Sequence, residues 1–126
     1  MLVLDSGAVS RLTARSGYSA RLLAGLRARG LWPPVVLSPA LVECLRGDAG
    51  RDAPVNRLLK TCDLVEEVPE ALARRAAFLR AKARVGSAVD ALVVAAAEGG
   101  GSVLTSDVGD MSALAAYADG VTVEGL

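Results

Sequence analysis

Histidine is absent from this chain of 126 residues, and cysteine and aromatic residues are scarce. Without histidine, Ser-His-Asp and Cys-His nucleophilic catalysis, imidazole general bases and imidazole metal ligands are all excluded. Two cysteines, Cys44 and Cys62, cannot complete a plausible zinc site alone, so we expect them to stay reduced as small core residues. The composition therefore leaves carboxylate chemistry open.

Long hydrophobic runs are also lacking. The chain is 52% hydrophobic with a mean hydropathy of +0.41, but its apolar residues lie in short runs, which favours a packed fold over a membrane protein. The start, Met1 to Asp5, contains no basic segment, which argues against a signal peptide and predicts a cytoplasmic protein. The length predicts one domain over residues 1–126.

Net charge is missing as well, because fourteen basic and fourteen acidic residues cancel. If four of the acids held a metal ion, fourteen positive charges would face ten negative ones elsewhere on the surface. Arginine outnumbers lysine twelve to two, and its planar guanidinium group suits phosphate contacts. A biased genomic base composition would explain the excess of arginine equally well.

Short apolar runs alternate with helical patterns along the whole chain. The predicted strands are 2–4, 35–37, 64–68, 102–105 and 121–123. The predicted helices are 6–15, 19–29, one that begins at 38, 55–61, 70–84, 88–98 and 111–117. No hairpin dipeptides join the strands, so the pattern predicts βαβ units and a three-layer α/β/α sandwich with a central parallel sheet.

Four carboxylates stand where apolar runs meet polar turns. Asp5 and Asp107 follow predicted strands, while Glu43 and Asp90 lie near the starts of predicted helices. Ligands of parallel sheets bind beyond the carboxyl ends of the strands, so all four can face one site. Two like charges about 4 Å apart repel by roughly 4 kcal/mol at an effective dielectric of ~20, and a divalent cation reverses the sign of that interaction. The four acids therefore predict a metal site.

Each acid also has an ordinary structural explanation. Asp5 fits the N-cap of the first helix, although Ser6 could take that position. Ser87 and Asp90 have the spacing of a capping box, and the pair of acids after the fourth strand, Asp107 and Asp110, repeats it. Glu43 is hardest to explain this way, because its neighbours in sequence are apolar and we expect them to leave it little solvent.

The ordered set of motifs resembles the PIN-domain ribonucleases, and specifically the VapC-type toxins of bacterial toxin-antitoxin pairs. The matching segments, in order, are residues 3–8, 38–43, 89–97 and 104–107 with Asp110 after them. The resemblance implies a Mg²⁺- or Mn²⁺-dependent endoribonuclease with one or two ions, a homodimer, and inhibition by a VapB-like antitoxin protein. It also implies that Asp5, Glu43, Asp90 and Asp107 are the acidic quartet and that Ser6, Thr105 and Asp110 support them. Met111 departs from the pattern, because an aromatic residue commonly stands at its position.

The residues by themselves are consistent with hydrolysis of RNA by a metal-activated water. We expect Asp5, Asp90 and Asp107 to hold the metal and Glu43 to orient or deprotonate the water. Arg46, predicted on the same helical face as Glu43, is a candidate contact for RNA phosphate, as are Arg11 and Arg15; solvated arginines are an equally good explanation. With so few aromatic residues to stack on bases, recognition is expected to depend on RNA shape and backbone.

Two other interpretations remain open. A phosphoryl-transfer or receiver-type domain also places an aspartate after the first strand, but Asp5 is not part of a D-x-D pair. In addition, neither Lys60 nor Lys82 follows a predicted strand, as a receiver would need. The second alternative is a catalytically silent PIN-like module that binds a partner protein. An intact quartet argues against that loss of activity.

Overall fold

The computed structural model describes all residues, 1–126, and shows five parallel strands between two layers of helices. The strands are β1 (Leu2–Leu4), β2 (Val35–Leu37), β3 (Asp63–Val65), β4 (Ser102–Thr105) and β5 (Thr122–Gly125). The helices are α1 (Ser6–Thr13), α2 (Gly17–Ala28), α3 (Ser38–Cys44), α4 (Ala49–Leu59), α5 (Glu70–Ala83), α6 (Ala88–Ala96) and α7 (Val108–Ala115). The predicted α/β/α sandwich with a parallel sheet is confirmed.

The strand order is β3-β2-β1-β4-β5, and every neighbouring pair is parallel. After β1 the chain adds β2 and β3 on one side, and it then crosses over to add β4 and β5 on the other. β1 and β4 are therefore the neighbours at which the order reverses. In open parallel sheets, such a reversal opens a crevice at the carboxyl ends of the two strands.

Side chains that alternate in direction along the strands divide the core into two halves. Leu2 and Leu4 of β1 pack with α1 to α4 in one cluster of buried residues, whereas Val3 between them packs with α5, α6 and α7 in the other. Successive strand side chains point to opposite faces of a sheet, so one three-residue strand supplies both halves. Helix α6 is apolar on most of its surface and buries Ala91, Val93, Val94 and Ala95 in the second half of the core.

Helix caps explain where the predicted boundaries differ. The polar loop predicted before residue 55 is the first half of α4, because the Asp48 side chain accepts from the Arg51 N–H and starts the helix at Ala49. Similarly, Asp107 caps α7, which starts three residues earlier than predicted. β3 is shorter than expected and ends at Val65.

The leucines of α2 pack toward the core. Leu26 is buried, and Leu22 and Leu23 pack partly buried against the first core cluster. They close the core beside α1. None of the seven helices has both the length and the apolar character needed to cross a membrane.

Candidate metal centre

Asp5 lies at the reversal point between β1 and β4 and is the most deeply buried of the candidate acids. It directly follows β1, and only 5% of its surface is exposed. Its backbone N–H donates to the Leu104 carbonyl of β4 at 3.2 Å, which extends the pairing of the two strands by one residue. The carboxylate is thereby fixed where the parallel sheet opens its crevice.

Both oxygens of the Asp5 carboxylate accept hydrogen bonds. Oδ1 accepts from the Ala8 N–H at 2.6 Å, so Asp5, and not Ser6, is the N-cap of α1. Oδ2 accepts a short bond from the hydroxyl of Thr105, which is fully buried at the end of β4. Thr105 Oγ1 in turn accepts from the Asp107 N–H at 2.8 Å. One hydroxyl group therefore ties the acid after β1 to the acid after β4.

The electrostatic surroundings of Asp5 disfavour its charged form. Burial raises the pKa of the Asp5 carboxyl, the hydrogen bonds from Thr105 and Ala8 oppose that rise, and the negative charges of Asp90 and Asp107 add to it. A buried, hydrogen-bonded carboxylate with two like charges nearby is an arrangement that a cation would stabilise.

Asp90 and Asp107 both serve as structural caps, as their spacing predicted. Asp90 Oδ2 accepts from the Ser87 N–H at 2.9 Å and Ser87 Oγ accepts from the Asp90 N–H at 3.1 Å, which completes a capping box at the start of α6. Asp107 Oδ1 accepts from the Asp110 N–H at 3.3 Å. The second oxygen of each, Asp90 Oδ1 and Asp107 Oδ2, has no hydrogen-bond partner within the chain. Those oxygens are the ones available to a ligand.

Glu43 differs from the other three acids. It lies near the end of α3 and is exposed, so the expectation that its apolar neighbours shield it from solvent is wrong. Ala40 and Cys44 are buried in the core, whereas Val42 beside Glu43 is itself 82% exposed. Glu43 is also not among the charges that raise the pKa of Asp5, whereas Asp90 and Asp107 are.

The side chains at this site do not form a complete set of metal ligands by themselves. No three carboxylate or thiol side chains lie close enough together to hold one ion between them. Three of the four predicted acids nevertheless surround the end of β1 and β4, and their hard oxygen atoms are the donors that Mg²⁺ and Mn²⁺ prefer. Mg²⁺ keeps several waters and needs only a few carboxylates, so this donor set fits the expected ion in chemistry.

Gly7 packs closely against the β4–α7 loop. A Cβ atom built on Gly7 would lie 2.1 Å from Ser106 Oγ and 3.5 Å from Asp5 Oδ1. A larger residue would therefore require the Ser106 hydroxyl group to move. Sequence reasoning quoted Gly7 only as part of a motif and did not identify this packing role.

The three predicted arginine contacts are placed differently from one another. Arg46 is not on the helical face of Glu43 as predicted, because α3 ends at Cys44 and the backbone is extended at Leu45. Arg46 lines a hollow of about 590 Å³ between α1 and α4, and Arg15 lines a second hollow of about 310 Å³. Arg11 lines neither and stacks on the ring of Tyr18 at 5.2 Å from its centroid.

Sequence reasoning missed a second buried carboxylate, Asp52. It is 6% exposed and accepts from the backbone N–H groups of Arg46, Gly47 and Asp48 at 2.9, 2.9 and 3.2 Å. This carboxylate shapes the turn between α3 and α4. The signal in the sequence is an acid four residues after Asp48, the N-cap of α4.

Comparisons with known proteins bear on the fold and not on the activity. No protein-family profile matches the chain, and no curated protein matches it either. A solved structure described as "Crystal structure of PAE2754 from Pyrobaculum aerophilum" is similar, with a TM-score of 0.64 and 17% sequence identity over 97% of this chain and 89% of that chain. At this identity the likeness shows a shared fold alone.

Proposed function

We propose that this chain is a divalent-metal-dependent endoribonuclease that hydrolyses RNA phosphodiester bonds with water as the nucleophile. The observation that carries the proposal is Asp5: a buried carboxylate at the crevice between β1 and β4, with Asp90 and Asp107 as like charges beside it. Ligands bind at this edge of a parallel sheet, and a carboxylate there that is costly to ionise is a candidate for a functional site.

The proposed ligands for one or two Mg²⁺ or Mn²⁺ ions are Asp5, Asp90 and Asp107. When bound, a divalent ion polarises the scissile phosphate and lowers the pKa of a water molecule. Asp5 is positioned for this role by Thr105, whose hydroxyl bonds to it and to the Asp107 backbone. Ser6 and Asp110 lie beside these ligands in the chain and are the proposed supporting groups.

Glu43 is the proposed group that orients or deprotonates the attacking water. Its exposure leaves the carboxylate free to reach a substrate, and no cap or ion pair engages it. Because water attacks and histidine is absent, the products should carry 5′-phosphate and 3′-hydroxyl ends. A ribonuclease that uses the 2′-hydroxyl group would leave a cyclic phosphate instead.

The biological role that we propose is that of a cytoplasmic toxin held inactive by a VapB-like antitoxin protein, with the toxin itself a homodimer. The apolar residues Leu64 and Val65, 42% and 37% exposed on the edge strand β3, are consistent with a covered surface there. Light scattering of the purified chain measures its mass, and a monomer at micromolar concentration would contradict the dimer. For the toxin role, we expect an adjacent open reading frame for a small DNA-binding protein.

The decisive experiment is cleavage of a structured RNA by purified protein with Mg²⁺, with Mn²⁺ and with EDTA. Cleavage should require the metal and should be lost in Asp5→Asn. Asp63→Asn, an exposed aspartate at the start of β3, is the matched control and should remain active. Activity that persists in EDTA, or that survives Asp5→Asn undiminished, contradicts the proposal.

Glu43→Gln separates the metal ligands from the water-activating group. The variant should bind Mn²⁺ with wild-type affinity in calorimetry and should cleave RNA at least about a hundredfold more slowly, which is within the range for loss of a general base. Cleavage at the wild-type rate would show that Glu43 takes no part in the reaction.

A catalytically silent protein-binding module is the second candidate, and the observation that favours it is the lack of any three acids close enough to share an ion. If no RNA is cleaved and no Mn²⁺ binds, this candidate replaces the nuclease. Turnover of a phosphomonoester would instead favour the phosphoryl-transfer alternative. A receiver role has less support, because Lys60 precedes β3 and Lys82 lies within α5.

A further inference from the structure

Five arginines line two adjoining hollows beside α1, which together we call the arginine groove. Its first part is the hollow between α1 and α4, with Arg46 and Arg51 on its wall, and its second part carries Arg15, Arg27 and Arg57. The two parts share Thr13 and Pro54, so they are neighbours on one surface.

None of the five arginines forms an ion pair within the chain. The three ion pairs in the structure involve Arg29, Arg74 and Arg75 instead. Asp52 is the one acidic residue in the lining, and its carboxylate is already engaged by three backbone N–H groups. The groove therefore holds five positive charges against one negative charge, and these positive charges repel each other until an anion binds.

The groove follows the helix whose N-cap is Asp5. Ser10 and Thr13, which line its first part, stand five and eight residues after Asp5, or about 7 and 12 Å along the axis of α1. Asp5 lies at the N-terminal end of α1, and the groove lies beside the second half of the helix. An RNA strand whose scissile bond lies at Asp5 would reach the groove by following α1 toward its C-terminus.

We propose that the arginine groove binds the phosphodiester backbone of the RNA substrate on one side of the scissile bond. This inference rests on the proposed nuclease function and adds where the substrate strand runs. Guanidinium groups bind phosphate in a bidentate manner, and the Ser10 and Thr13 hydroxyls add donors. The lining is mostly polar, whereas a groove for an amphipathic protein segment would need apolar walls.

The α5 helix is rich in basic residues but is a poorer phosphate surface. Arg74 is paired with Glu70, and Arg75 is paired with Glu98. Residues on α5 therefore provide control substitutions that remove the same charge from an exposed helix without touching the groove.

The test measures binding of a fluorescein-labelled oligouridylate of about 12 nucleotides in EDTA by anisotropy, at several salt concentrations. The variant Arg51→Ala/Arg57→Ala is compared with the control Arg74→Ala/Lys82→Ala. The groove variant should bind at least about tenfold more weakly, and its slope of log affinity against log salt should fall by about 1.4, or about 0.7 for each phosphate that is no longer neutralised. The control should match the wild type in both quantities.

Three results would overturn the inference. The groove variant could retain wild-type affinity and salt slope, or the control could weaken as much as the groove variant. Alternatively, poly-glutamate of matched charge could bind as tightly as the oligouridylate, which would assign the groove to an acidic protein segment. If the double variant unfolds, Arg46→Gln is the second variant, since the backbone of Arg46 and not its side chain holds the α3–α4 turn.

A small phosphodiester substrate distinguishes failure of the groove proposal from failure of the nuclease proposal. Bis(p-nitrophenyl) phosphate is too short to occupy the groove, so the wild type and the groove variant should hydrolyse it equally with Mn²⁺. Hydrolysis combined with unchanged RNA binding in the groove variant contradicts the groove alone. No hydrolysis by the wild type, combined with the expected loss of binding, contradicts the nuclease and leaves an RNA-binding groove.

Discussion

At the scale of single residues, Asp5 is the most informative, because some of its contacts stabilise the ionised carboxylate and others destabilise it. Its carboxylate is buried and hydrogen-bonded, yet burial and two neighbouring acids raise its pKa. Because the folded-state pKa is raised above that of the unfolded chain, ionised Asp5 opposes folding at neutral pH. A polar group that lowers the stability of the folded protein is typical of a functional site.

Asp5→Asn should leave the thermal midpoint at pH 7 close to that of the wild type while abolishing metal-dependent activity, because removal of the buried charge offsets the lost bond from the Thr105 hydroxyl. Asparagine is as good an N-cap as aspartate, so α1 keeps its bond from the Ala8 N–H. The loss of activity should exceed the roughly 10–100-fold typical of an outer-shell change. Thermal melts of wild type, Asp5→Asn and Asp63→Asn check this, and a midpoint well below that of Asp63→Asn would contradict it.

Wild-type protein should also melt at higher temperature with Mn²⁺ than with EDTA. A cation at the site removes the like-charge repulsion around Asp5, and an ion at ten times its dissociation constant adds about 1.4 kcal/mol to the free energy of unfolding. Asp5→Asn should show a much smaller shift. Equal shifts of the thermal midpoint in the two proteins would show that Mn²⁺ binds at another site.

Thr105 joins the two halves of the candidate site. Thr105→Val leaves Asp5 Oδ2 and the Asp107 N–H without their partner, which should cost about 1–3 kcal/mol of stability and about 10–100-fold in Mn²⁺ affinity. Thr105→Ser keeps the hydroxyl group and should restore most of that affinity in calorimetry. If serine fails as valine does, then the methyl packing of Thr105, and not its hydroxyl, is what matters.

At the scale of elements, the turn between α3 and α4 depends on one side chain. Asp52 accepts from three consecutive backbone N–H groups, and its residue lies within the helix that the turn precedes. The carboxylate therefore fixes the direction in which the chain enters α4. It also sets the position of Arg46 at the arginine groove.

Asp52→Ala should lower the free energy of unfolding by about 2–3 kcal/mol, because it leaves buried donors unsatisfied. Asp48→Ala, which removes only the N-cap of α4, should cost about 1 kcal/mol. Urea unfolding of the two variants and of wild type gives the comparison. An effect of Asp52→Ala no larger than that of Asp48→Ala would show that water satisfies these N–H groups.

At the scale of the whole molecule, two ion pairs connect the helices to distant parts of the chain. Arg75 on α5 binds Glu98 beyond α6, and Arg29 beyond α2 binds Glu124 on the edge strand β5. In each pair the arginine lowers the pKa of the glutamate. Lowered folded-state values mean that both pairs stabilise the fold at neutral pH and lose that effect in acid.

Glu98→Gln should cost about 1–2 kcal/mol at pH 7, since Glu98 also accepts from the Asp119 N–H and its side chain is 18% exposed. The difference from wild type should shrink as the pH falls below 4.5, the ordinary value for glutamate, and through the lowered pKa of the folded state. Urea unfolding at pH 7 and about pH 3.5 measures both. The exposed pair partner Glu70→Gln is the control, with a cost of about 0.5 kcal/mol or less. A difference that stays constant with pH would contradict the assignment.

The sequence by itself determined the parallel α/β/α architecture, the five strands and the caps at Asp5, Ser87 and Asp107. These features depend on side-chain alternation and on hydrogen bonds between residues three apart, which a local pattern records. It also placed Asp5 and Asp107 at the same sheet edge, because parallel strands end together. Its errors at the α4 boundary arose where a polar segment served as a helix start.

Only the tertiary structure decided which of these groups meet and which face solvent. The bond between Thr105 and Asp5 joins residues one hundred positions apart and follows from β4 pairing with β1. The exposure of Glu43, the burial of Asp52 and the alignment of five arginines beside α1 likewise depend on how helices pack across the sheet. Such contacts are set by strand order and long-range burial, and no spacing within the chain encodes them directly.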